Sequence, residues 1–341
     1  MQSIQTKIEN MVGQMIQKKR DIAIDVMKGI GILLVLLGHV WPPLPVIHNI
    51  AVSFHMPMFF MVAGYFSKSY SEVMSLGVTI RHYAKRLIPP YLVTMVVICL
   101  WIMLKAYLGV VSWNEVLIRF VSIFWADVNP LHLPIGNTSI GVVWFLLALF
   151  WTKVLLLIVT KWEKWVLPIS VVISLVALLL HKVFPYSIWC LSIACVCLPF
   201  VAFGWWIRRH NLPWYVWGCL VICWGVALLF SKLDLYTYTM NCYPVDVLGG
   251  IGGTFVLYLL SKLIVKAKES WVLKCIQYLG GISLAIMCVH DFEIASHLGN
   301  HLRAAIGWDM PIWGLYIWRY SITIVLAIVL TKIPKIKSIF V

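Results

Sequence analysis

Of the 341 residues, 62% are hydrophobic and only 12% are charged, and the mean hydropathy is +0.92, more apolar surface than a soluble core of this size can hide. These values exclude a soluble enzyme and define an integral membrane protein. The net charge of +14 calls for no nucleic acid, because basic loops beside an anionic leaflet account for it.

Residues 1–20 are polar, with Ile4, Ile8, Met11, Val12, Met15 and Ile16 at helical spacing, and they end in Lys18, Lys19 and Arg20. This pattern predicts an amphipathic segment on the cytoplasmic face, without a signal-peptide cleavage pattern. Apolar runs of crossing length then predict about ten helices, near residues 27–41, 47–66, 87–108, 140–160, 166–180, 188–207, 214–230, 245–264, 272–292 and 312–330. With a cytoplasmic amino terminus, nineteen of the 27 Lys and Arg fall on inside segments, among them Lys68, Lys161, Lys164, Arg208 and Arg209. Five fall outside (Lys105, Arg119, Lys182, Lys232, Arg303), and Lys28, Lys153 and Arg319 lie within helices. The asymmetry follows the positive-inside rule and places both termini inside. The expected fold is therefore all-α, a polytopic membrane protein with residues 21–334 as the transmembrane domain and 335–341 as a short cytoplasmic tail. No polar stretch is long enough to fold as a second domain. The nine Cys form no CxxC pair, so neither a disulfide framework nor a zinc-thiolate site is expected.

Candidate site residues appear in the first helix. Lys28 and His39 share one apolar run with ten residues between them, and a titratable group there costs several kcal/mol unless it lines a cavity or is paired. Eleven positions return to within roughly 20° of the same face and span about 16 Å, which puts a cation in the inner half and an imidazole in the outer half. Asp25 lies three residues before Lys28 and can pair with it, the bland alternative. In the second helix His55 precedes Pro57, whose missing N–H loosens the helix. Lys85 and Arg86 open the third run, where they suit phosphate oxygens or serve as an ordinary positive flank. Trp144 opens the fourth, and His290 and Asp291 close the ninth, which brings three histidines to one depth.

The Lys28-x10-His39 spacing, Arg20 and Asp25 before it, and the segments FHMPMFFMVAGY, KRLIPPY, VWFLLALF and GISLAIMCVH together resemble the acyltransferase family 3 membrane proteins, in particular their fucose 4-O-acetylase-like branch. The resemblance runs from about Arg20 to Leu330. It implies a ten-helix domain in a bacterial inner (cytoplasmic) membrane that moves an acyl group, commonly acetyl from acetyl-CoA, to a carbohydrate hydroxyl. The family's Arg or Lys and its essential His map onto Lys28 and His39, its late His onto His290, and its Trp-Phe-Leu segment onto Trp144 to Leu146. Without the fused soluble domain of some members, the expected acceptor is a cell-envelope carbohydrate or its nucleotide- or lipid-linked precursor.

The residues suit this chemistry in their own right. His39 can take the hydroxyl proton or carry the acyl group as a covalent relay. Lys28, with His55 and His290, completes the catalytic set. Arg86, Lys85 and Arg20 bind the donor, while Asp291, Glu293, Trp144 and Asp246 meet the acceptor. No permanently bound cofactor and no metal are expected: His297 and His301, an i, i+4 pair, read as unliganded loop residues. A proton-coupled transporter of a small polar solute is the rival from another class, given the buried His, Lys and Arg319. No paired repeat with matching Gly or Pro breaks supports it.

Overall fold

The computed structural model describes residues 21–39, 45–267, 270–298, 301, 304, 307 and 311–340. The amphipathic segment 1–20, Arg20 with it, and Arg303 lie outside the described residues.

Asp21 starts the first helix by accepting the Ala23 N–H at 3.0 Å, so that α1 runs Ile22–Gly38 and stops at His39. There follow α2 (Pro45–Tyr65), α3 (Leu76–Tyr107), α4 (Trp113–Trp125), α5 (Trp144–Val159), α6 (Val166–Val183), α7 (Leu191–Ile207), α8 (Trp214–Phe230), α9 (Tyr243–Ala267), α10 (Trp271–Gly281), α11 (Ser283–Ser296), α12 (Ile312–Lys332) and α13 (Pro334–Phe340). Two small hairpins interrupt them: β1 (His132–Leu133) with β2 (Gly136–Asn137), and β3 (Leu233–Asp234) with β4 (Thr239–Met240).

Each expected apolar run coincides with helix, and the departures have physical causes. The third begins eleven residues before 87, because Arg81, Lys85 and Arg86 end the apolar run but favour helix as well as Leu does. The ninth is a pair, α10 and α11, bent by 73° just beyond Gly280 and Gly281. The helix α4 was not expected. Among the described residues four stretches are long and apolar enough to cross a membrane, or five with the bent pair, against an expectation of about ten. Two of the shortfalls are α7 and α8, which fall just below crossing length at 17 residues each.

Another shortfall is a fold-back. Gly141–Val183 is continuous helical structure over 43 residues, broken by the non-helical φ/ψ of Trp162. Near its start the Trp144 ring tilts against Tyr236 at 6.4 Å, and near its end His181 stacks on Tyr238 at 3.7 Å. Both tyrosines belong to the β3–β4 hairpin, whereas a straight helix of that length would hold its ends about 60 Å apart. The turn at its middle is bonded elsewhere: the Tyr70 N–H donates to Thr160 Oγ1 at 2.9 Å, and Ser71 Oγ donates to Glu163 at 3.1 Å. Arg209 joins the same end by pairing with Glu72 at 2.6 Å. One end of the bundle thus gathers Lys68, Lys161, Lys164, Arg208 and Arg209. The other gathers the two hairpins and the loop in which Asp127 accepts from Ser187 at 3.0 Å.

Close helix crossings hold these ends apart. A Cβ on Gly64 of α2 would strike the Val201 carbonyl of α7, and one on Gly204 of α7 would strike the Met61 carbonyl of α2. Gly29 and Gly280 make the same reciprocal approach between α1 and α10. In a bundle where lipid offers as much apolar contact as protein does, such backbone proximity supplies the packing energy. Around the α2–α7 crossing lie Phe60, Leu146, Leu147 and Phe200, all fully buried. Gly204→Leu is expected to destabilise the detergent-solubilised protein by about 1–3 kcal/mol or more. Gly218→Ala, with open space at its Cβ, should instead leave the thermal midpoint unchanged or raised. Thermal unfolding of the three proteins checks this.

Candidate active site

The histidines sit where α1 ends, and the way each is held fixes its chemistry. His39 is the residue after the last turn of α1, accessible, with Nδ1 2.8 Å from the Val35 carbonyl. A carbonyl only accepts, so Nδ1 carries the proton and Nε2 keeps its lone pair. His55 is buried one helix away and repeats the arrangement, with Nδ1 2.6 Å from the Ala51 carbonyl. His290, near the end of α11, packs edge-on against His39 with ring centroids 5.3 Å apart. Its Nε2 is buried and has no hydrogen-bond partner among the described residues.

His48 of α2 reaches the end of α1, with Nδ1 3.1 Å from the Gly38 carbonyl. In the β3–β4 hairpin Asp234 Oδ1 closes a turn by accepting from the Tyr236 N–H at 3.0 Å. In that hairpin Tyr236 lies beside buried Trp144, and burial, then the Asp291 and Asp234 carboxylates, push its phenol up. Its hydroxyl therefore stays neutral at physiological pH. Neither His48 nor the hairpin was among the expected site residues, although His48 and His55 are seven apart and so share a helix face.

The expected acceptor ligands have protein partners. Asp291 is buried and accepts the Val142 N–H at 2.6 Å, fastening the 3-10 turn Gly141–Val143 that starts α5. Gly141 has φ +60°, and a Cβ there would strike the Asp291 carboxylate. Glu293 takes Arg319 through a fork, with contacts at 3.0, 3.2 and 2.6 Å. Asp246 accepts the Cys242 N–H at 2.9 Å through one oxygen, and its other oxygen has no hydrogen-bond partner among the described residues. Among the described residues no hydrogen bond or ion pair joins it to the histidines.

Lys28 pairs with Asp25 at 3.3 Å, as the bland alternative had it. Lys85 and Arg86 are exposed on the early turns of α3, away from the imidazoles. The arrangement is thus an imidazole cluster with free lone pairs under a hairpin at one end of the bundle, with Lys28, Lys85 and Arg86 away from it.

Such a bundle sets imidazoles whose Nε2 can accept a proton together at one helix end. Residues 21–332 match the acyltransferase domain family, and the chain belongs to it. It is a multi-pass membrane acyltransferase. No curated protein and no solved structure matches it.

Because the Asp291 carboxylate occupies the space of a Gly141 Cβ, Gly141→Ala should lower the thermal midpoint and turnover together, by about 1–3 kcal/mol in stability. The loss should shrink in an Asp291→Ala background, since the clash is then removed. A double-mutant cycle measured by thermal unfolding tests the contact.

Proposed function

We propose that this protein is an O-acyltransferase that moves acetyl from acetyl-CoA to a hydroxyl of a cell-envelope carbohydrate or of its lipid- or nucleotide-linked precursor. The observation that carries this reading is His39: Nδ1 is committed to the Val35 carbonyl, and the opposite nitrogen is free at an accessible position beside His290. The acceptor hydroxyl gives its proton to that nitrogen as its oxygen attacks the thioester carbonyl, and the proton then passes to the departing CoA sulfur. His290 and His55 orient the acceptor, and exposed Tyr236, backed by buried Trp144, offers an aromatic surface for a sugar ring. The likeness to fucose 4-O-acetylase-like proteins supports a sugar as acceptor.

In this reading ten segments cross a bacterial inner membrane with both termini cytoplasmic. The fold-back of Gly141–Val183 supports two crossings there, and the gathering of Lys68, Lys161, Lys164, Arg208 and Arg209 at one end supports a cytoplasmic assignment of that end. The acyl donor meets the bundle from the basic side and the acceptor from the hairpin side.

Mass spectrometry of envelope glycans from cells with and without the protein should show the increment of an acetyl group. An unchanged profile would favour the proton-coupled transporter. In purified protein His39→Ala should insert and fold normally yet lose roughly two to four orders of magnitude in rate. Retained turnover would move the base to His55 or His290. The pH profile follows from the sign of the proton balance: the base works only when neutral, so activity falls on the acid side as the imidazole protonates. A profile that stays flat over the whole range in which the protein remains folded contradicts histidine as base.

A further inference from the structure

The last carbonyls of a helix have no donor within it and must find one elsewhere. At the end of α1 His39 serves two of them itself: its Nδ1 bonds the Val35 carbonyl, and its backbone N–H bonds that of Leu36 at 3.2 Å. A third, on Gly38, receives the Nδ1 of His48, early in α2, at 3.1 Å. Among the described residues no other hydrogen bond joins the last turn of α1 to α2.

His48, Ala51, His55 and Met58 recur at intervals of three and four residues and so share one face of α2. That face meets α1: Ala51 and Met58 are fully buried, and a Cβ on Gly31 of α1 would strike the Met58 side chain. The imidazoles on this seam are held in two ways. His39 and His55 each bond a carbonyl of their own helix, whereas His48 bonds one across the seam.

The Gly38 carbonyl and the His39 N–H belong to the same planar peptide group. That plane is therefore held at both ends, at its oxygen by His48 and at its nitrogen by the Leu36 carbonyl. Without His48 only the nitrogen end is held, and Gly38 has no Cβ to restrict the rotation that would carry His39 with it.

We propose that His48 is a positioning residue for His39: through its Nδ1–H it holds the Gly38–His39 peptide so that the free Nε2 of His39 meets the acceptor hydroxyl. This rests on the acyltransferase reading with His39 as base. His48 itself neither gives up nor takes a proton in the reaction. Displacing a catalytic group by about 1 Å costs up to roughly 10²-fold in rate.

The test compares full-length wild type, His48→Leu and His48→Asn in phosphatidylcholine nanodiscs, with acetyl-CoA as donor and an envelope-glycan extract as acceptor, and reads coenzyme A release per folded molecule. Asparagine sets its amide nitrogen where histidine has Nδ1 but offers no basic nitrogen. His48→Leu should lower kcat by about 10–100-fold with the KM for acetyl-CoA little changed, and His48→Asn should recover most of the loss. A second reading needs no turnover: diethyl pyrocarbonate attacks unprotonated imidazole nitrogen, and mass spectrometry follows its addition at His39. That rate should change in His48→Leu and match wild type in His48→Asn. A merely structural His48 would lower the thermal midpoint while kcat per folded molecule and the His39 rate stayed as in wild type, and this overturns the proposal. A folded His48→Asn with less than about one tenth of the wild-type kcat overturns it too, whether or not His48→Leu folds, because the imidazole would then be needed for more than its Nδ1–H. A His39 rate that depends on His48 in a protein that transfers no acetyl keeps the positioning role while the acyltransfer reading fails.

Discussion

A ring N–H given to a carbonyl one turn back is the interaction on which the site depends. Away from water a polar nitrogen must be satisfied from within the protein. Buried His55 does this through Ala51, and accessible His39 makes the same bond to Val35, without recruiting another side chain. Each bond settles the tautomer, so each imidazole presents an unprotonated Nε2 rather than a donor. A serine or carboxylate partner could accept or exchange a proton and would leave the tautomer open. The backbone carbonyl cannot, and the base is set by helix geometry alone.

Helix packing then decides whether these bases meet. The reciprocal glycine contacts bring α1 against α10 and α2 against α7 closely enough for backbone to touch backbone. The 73° bend after α10 redirects α11 so that His290 arrives beside His39. Asp291, the next residue, ties the start of α5 to the same place through Val142. One position thus looks toward chemistry and its neighbour toward construction, and the buried Arg319–Glu293 pair holds α12 to α11 two residues further on.

Helix positions could be read from the sequence because a bilayer demands long apolar runs. Features that depend on something other than run length could not. The amphipathic α4 carries exposed Leu117, Phe120 and Phe124 beside polar residues and shows no crossing-length signal. The break between α10 and α11 hides inside a continuous apolar stretch, with only the Gly280-Gly281 pair to mark it. At the site, the common depth of His39, His55 and His290 follows from counting residues along helices. The partners of Asp291 and Glu293 do not, since Val142 lies 149 residues away and Arg319 lies 26 away. These carboxylates look like sugar ligands until the fold supplies their donors. Asp234 and Tyr236 were invisible for a related reason: a hairpin that docks over a helix end has no periodicity that reports where it docks.

Two polar regions belong to a single helix, α5. Its start is fastened by Asp291 beside His290, and nine residues further along, about 14 Å down the axis, Lys153 lies over the Tyr83 ring of α3. Pairing Arg319 with Glu293 and Lys28 with Asp25 neutralises these cations of α12 and α1, whereas Lys153 of α5 is met by the face of the Tyr83 ring.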